Sequence, residues 1–227
     1  MPDAMHPHEL PLTLPDGSTV SALLQAPPDA RACYVFAHGA GAGMAHSFMA
    51  AVAAGLATRG IATLRYQFSY MERGSKRPDT PAVAHAAVRA AVAEAAKRCP
   101  GLPLFAGGKS FGGRMTSQAQ AAEPLPGVRG LVFFGFPLHP AGKPAIERAA
   151  HFVKVECPML FLQGTRDELA EVELLTGVTK ELGSRATLEL VAEADHSFHV
   201  PARSGRKDAE VLEGLLDVAA EWIGRLT

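Results

Sequence analysis

Residues 104 to 115 read LFAGGKSFGGRM, and two patterns overlap within them. Gly108-Lys109-Ser110 could close a glycine loop that cradles phosphate, or Gly108-Lys109-Ser110-Phe111-Gly112 could form G-x-S-x-G, a sharp strand-to-helix turn that exposes a serine hydroxyl. The choice between them decides the fold. A phosphate loop of the form G-x-x-x-x-G-K-[ST] needs glycine at position 103, where Pro103 stands inside an apolar run. The aspartate that would help hold Mg²⁺ after a second apolar strand is also missing, since Leu131-Val132-Phe133-Phe134 runs straight into Gly135. The serine turn fits instead. Glycines at 108 and 112 let strand and helix approach closely, and Gly107 and Gly113 relieve crowding around a strained residue 110.

On either side of this turn the chain alternates between short apolar runs and longer alanine-rich or amphipathic stretches. The apolar runs at 33–37, 61–65, 102–106, 130–134, 159–163 and 187–191 read as strands. Helical patterns lie between them at about 46–59, 80–98, 110–122, 168–182 and 205–225. Ahead of these, 10–14 and 18–24 flank Pro15-Asp16-Gly17, a turn signal that predicts an antiparallel hairpin. The expectation is an α/β class with a mostly parallel sheet and helices on both faces, as a single domain over residues 1–227. The loosest stretches are 72–80 and 135–143.

Lys and Arg number 22 against 23 Asp and Glu, a formal charge of −1, so no global field favours nucleic acid or an anionic membrane surface. No apolar run approaches the ~20 residues of a bilayer span, and the N-terminus lacks the pattern of an export signal. A cytoplasmic protein whose three cysteines are reduced is the expectation.

In open α/β sheets functional groups gather beyond the carboxyl ends of the strands. There the chain offers Asp167 in GTRD after the fifth of these runs and His196 in AEADHSF after the sixth. Taken separately, a loop carboxylate and a loop histidine are ordinary solvated groups. Together, in the order serine, acid, histidine after successive strands, they are the set a serine nucleophile requires. The glycine-rich FAHGAGAGMAH that follows the first of the runs could turn backbone amides toward the same point. Ala40 is the expected donor, with Gly41 second to it, alongside the Phe111 N–H.

Arg65, Lys109 and His139, with Arg114 and Arg166 nearby in the pattern, are candidates to recognise a substrate carboxylate or phosphate. Ion pairs with Glu72 or Glu168 are the plainer reading. His196-Ser197-Phe198-His199 has a metal-like spacing but lacks matching partners, and no metal or cofactor is expected. Phe48, Phe68, Tyr70, Phe111, Phe136 and Phe198 are either pocket aromatics or core.

HGAGAG, GKSFGG, GTRD and DHSF, taken in order, resemble the α/β-hydrolase superfamily over about residues 10 to 225. LRYQFSYME, GGKSFGGRM, GFPLHPAGKP and FLQGTRD are similar to a small uncapped branch that includes dienelactone-hydrolase-like proteins and subunit three of the NSL chromatin complex. Dienelactone hydrolases carry cysteine at the turn where this chain has Ser110. Only 24 residues separate the runs at 130–134 and 159–163, too few for a substantial cap. The resemblance implies a hydrolase of a small ester or thioester acting through Ser110, His196 and Asp167. A hydrolase-like scaffold that binds protein is the alternative, and a lyase, peptidase or perhydrolase would use the same constellation.

Overall fold

The computed structural model describes residues 6–227. Its eight strands are β1 (His8–Thr13), β2 (Thr19–Gln25), β3 (Ala32–Ala37), β4 (Ile61–Tyr66), β5 (Leu104–Lys109), β6 (Val128–Phe134), β7 (Met159–Gly164) and β8 (Ala186–Val191). The helices are α1 (Ser47–Ala57), α2 (Ser69–Glu72), α3 (Pro81–Arg98), α4 (Phe111–Ala122), α5 (Val172–Leu182) and α6 (Asp208–Gly224). They build one sheet in the order β1-β2-β4-β3-β5-β6-β7-β8. The β1–β2 hairpin is antiparallel and joins β4 antiparallel; every pairing from β4 to β8 is parallel.

Covering the parallel strands on both faces demands continuous apolar runs rather than alternation. Accordingly ACYVFA in β3 and MLFLQG in β7 are buried at every position. One face carries α3, α4 and α5, the other α1 and α6. In α3 the buried stripe is Ala84, Ala87, Val88, Ala91, Val92 and Ala95, a spacing of three and four residues that keeps one face inward, with Pro81 opening the helix. In α6 the inward residues include Val211, Leu215, Leu216, Ala219 and Trp222. The Trp222 indole fills the space above Gly130, where a Cβ would lie 2.6 Å from the ring. It packs edge-on against Phe105 and donates to Thr187 Oγ1 at 3.3 Å.

Two stretches depart from the sequence reading. Strand β5 starts at Leu104 and runs through Gly107 and Gly108 to Lys109, where the composition had suggested that the turn begins earlier. Pairing on both sides, Gly108 with Ala37 and with Phe133, keeps these glycines extended. The segment between β6 and β7 contains a 3₁₀ helix, Glu147–Lys154, whose Phe152 is buried against Phe133, Phe136 and Phe161. It folds onto the sheet's flank and forms no large cap, so the carboxyl ends of the strands stay open. Among the described residues no helix is long and apolar enough to cross a membrane.

Candidate active site

Ser110 sits between β5 and α4 at φ 50° and ψ −116°, a conformation strained for any residue with a Cβ. The turn survives because its neighbours lack side chains. A Cβ on Gly108 would lie 2.4 Å from the Ala37 carbonyl oxygen, and one on Gly112 would lie 2.5 Å from the same atom. At Gly107, φ is +151° and a Cβ would fall 1.9 Å from the Val132 oxygen. The glycines therefore admit β3 and β6 as much as they let β5 meet α4. The Ser110 N–H donates to Phe134 O at 3.2 Å, which ties the turn to the end of β6.

The loops after β7 and β8 converge on this serine. His196 Nε2 lies 2.9 Å from Ser110 Oγ, and its Nδ1 lies 2.7 Å from Asp167 Oδ2. The Asp167 side chain is fully buried. Burial of a carboxylate demands hydrogen bonds, and two further donors supply them: the Leu169 N–H at 2.8 Å and Gln163 Nε2. Gln163, fully buried at the end of β7, also accepts from the Phe136 N–H at 2.9 Å. Sequence reading passed over it, although a glutamine closing an otherwise apolar strand is the signal that could have found it.

On the other side of Ser110 the glycine-rich loop after β3 is held by three side chains. His38 is fully buried; its Nδ1 donates to Gly39 O at 2.8 Å and its Nε2 accepts from Phe68 N at 3.1 Å. Burial lowers its pKa to about 4, so the ring is neutral near pH 7. Arg65 Nη1 donates to Met44 O at 3.1 Å, while Gln67 Oε1 accepts from Met44 N at 2.8 Å. Both hydrogen-bonding groups of one peptide residue are thus fastened from the end of β4. Within this loop Gly41 lies beside the buried Tyr70 hydroxyl. Among the described residues the amides of Ala40 and Phe111 donate to no other group.

A cavity of about 300 Å³ opens beside Ser110, lined by Gly39, Ala40, Phe48, Met49, Lys109 and His196 among others. Of the five residues expected to recognise an anion, Lys109 alone lines it, and its ammonium donates to the His196 carbonyl. Arg65 is 2% exposed and engaged with Met44. His139 is 1% exposed, with Nδ1 donating to Pro140 O and Nε2 accepting from Glu171 N. Both serve the backbone outside the cavity lining, and the cause is simple: a buried polar side chain is recruited by the nearest unpaired peptide group. Glu72, the ion-pair partner considered for Arg65, instead accepts from Ser21 N and Oγ.

His46 caps α1 through Nδ1, and His199 pairs with Asp208 at the exposed surface. Of the six candidate aromatics, Phe68, Tyr70, Phe111, Phe136 and Phe198 are buried and Phe48 stands at the cavity.

A mostly parallel eight-stranded sheet with a serine at a strained strand-to-helix turn defines the α/β-hydrolase class. The description "alpha/beta hydrolase domain" matches residues 30–224, and the chain belongs to that family. Solved structures share the architecture. A lidless α/β serine hydrolase from Xanthomonas campestris is 21% identical with a TM-score of 0.74, covering 98% of this chain and 96% of that one. A dienelactone hydrolase from Anabaena variabilis is 21% identical with a TM-score of 0.78, covering 97% and 99%. An esterase from Pyrococcus furiosus is 16% identical with a TM-score of 0.76, covering 99% and 94%. At these identities the likeness is one of fold.

Proposed function

We propose that this chain is a serine hydrolase that cleaves a small ester or thioester through an acyl-enzyme on Ser110. The observation that carries this reading is the continuous contact from Ser110 Oγ to His196 Nε2, and from His196 Nδ1 to the buried Asp167, beside an open cavity. In the proposed cycle His196 takes the hydroxyl proton as Ser110 attacks the acyl carbon, then returns it to the leaving alcohol or thiol. Asp167 accepts from His196 Nδ1–H, which selects the tautomer with a free Nε2 and stabilises the imidazolium. The N–H groups of Phe111 and Ala40 receive the negative charge on the carbonyl oxygen, each worth about 10²–10³ in rate. Water then attacks the acyl-enzyme by the same route in reverse. The partly apolar walls formed by Phe48 and Met49 suit a small acyl group.

The test is capture by a fluorophosphonate. Ser110 Oγ would form a bond to phosphorus, fluoride would leave, and the hydroxyl proton would pass to His196. Intact-mass spectrometry should show one adduct on the wild type and none on Ser110→Ala. An unmodified wild type, shown to be folded, would overturn the reading.

A further inference from the structure

The loop that carries His196 lies between β8 and α6, and its regular structure is a single short 3₁₀ turn, Ala202–Ser204, beyond the histidine. Much of its order is internal. Asp195 Oδ1 accepts from Ser197 N at 2.8 Å and from His199 N at 2.9 Å, and the Asp195 N–H donates to His199 O. These bonds shape the loop but do not set its distance from Ser110.

Lys109 does reach across. Its side chain leaves the residue just before the nucleophile and passes Gly39, where a Cβ would lie 3.6 Å from Cγ. It continues beneath Gly135, where a Cβ would lie 2.8 Å from Nζ, and ends on the main-chain carbonyl of His196. Gly135 has φ +67°, so a side chain there would be both strained and in the lysine's path. The ammonium lies 5.9 Å from the centre of the Phe48 ring and 5.3 Å from that of Phe198. It forms no ion pair among the described residues, so the carbonyl and the two ring faces are its partners.

We infer that Lys109 is a positioning residue: its ammonium fixes the main chain of His196 so that the imidazole stays in register with Ser110. The inference rests on the hydrolase reading above. Two adjacent residues of the turn then grip the histidine at two points, Ser110 on the ring and Lys109 on the backbone. Near-attack geometry is sensitive to displacements of an ångström, so one loose tether is costly.

The grip is titratable. Burial lowers the Lys109 pKa to about 8, opposed by attraction to Asp167 and Asp195. The ionisable groups facing it are Asp167 after β7 and Asp195 and His196 after β8; α1 contributes Phe48 and the turn after β6 contributes Gly135. Loss of its proton removes the attraction to both rings and weakens the bond to the carbonyl.

The experiment measures the rate of fluorophosphonate labelling at Ser110 from about pH 6 to 10 in wild type, Lys109→Met and Lys109→Arg. The wild type is expected to slow as pH rises through about 8. Lys109→Met is expected to label roughly 10- to 100-fold more slowly at neutral pH, without that alkaline decline. Lys109→Arg keeps a cation that does not titrate in this range, so it recovers part of the rate and also loses the decline. It decides the matter even where Lys109→Met does not fold. A Lys109→Met protein labelling at the wild-type rate, a wild type with no alkaline decline, or a decline that persists in Lys109→Arg would each overturn the positioning role. Complete failure of the folded wild type to label would instead overturn the hydrolase reading.

Discussion

At the ends of β3, β5 and β6 the serine turn is placed by side chains that are missing, whereas after β7 and β8 the acid and the histidine are placed by side chains that are present. Gly107, Gly108 and Gly112 bring backbone against backbone at separations no Cβ would tolerate. Asp167, Gln163 and Lys109 work through directed hydrogen bonds. The first arrangement is all-or-none, because a steric exclusion cannot be half satisfied. The second is graded, since each bond can be weakened by a substitution or a proton. A substitution on the backbone side is therefore expected to damage stability, and one on the side-chain side to damage rate.

The largest separation of the two effects should come from Asp167→Asn. The amide preserves shape but favours the wrong imidazole tautomer, and the labelling rate is expected to fall about 10⁴-fold, some 5 kcal/mol of barrier. The melting temperature should stay close to wild type; a collapse of the fold would break the comparison. Gly107→Ala should do the reverse. With its Cβ driven onto the Val132 oxygen, it is expected to lose about 4 kcal/mol or more of folding stability, read from the denaturant midpoint. A stable Gly107→Ala protein that labels slowly would show that the backbone side is graded as well.

The smallest of the three effects concerns His38, the buried side chain that titrates on the backbone side. Its folded pKa of about 4 lies below the usual 6.5, so the fold prefers the neutral ring. The stability tied to that preference is complete above about pH 6.5 and is lost as pH falls toward 4, amounting to roughly 3 kcal/mol. Denaturant midpoints at pH 7 and pH 4.5 should show the decline, and His38→Gln should flatten it. His151, also lowered to about 4 by burial, contributes in the same direction, so a residual slope remains. An equally steep decline in His38→Gln would exclude His38 as its source.

Much of this arrangement is written locally in the chain. The alternation of apolar runs with helical stretches predicts the parallel sheet, and Pro15-Asp16-Gly17 predicts the hairpin that opens it. Ser110, Asp167 and His196 stand out in the sequence because each follows a strand, where a short polar motif interrupts an apolar run, and the fold brings the three into hydrogen-bond contact. What was not legible depends on pairs distant in sequence. Arg65 bonds Met44, Gln163 bonds Phe136 N, and His139 bonds Glu171 N, so each role is set by which unpaired peptide group the fold brings near. Nor could composition show that β5 persists through two glycines, since the pairing that keeps them extended comes from β3 and β6.

The chain's single tryptophan, Trp222, is buried where α6 crosses β6, against Gly130 and Phe105. It does not line the cavity beside Ser110. Intrinsic fluorescence therefore reports how α6 seats on the sheet. Emission excited at the indole band becomes an optical gauge of unfolding, read separately from the rate at which a fluorophosphonate labels Ser110.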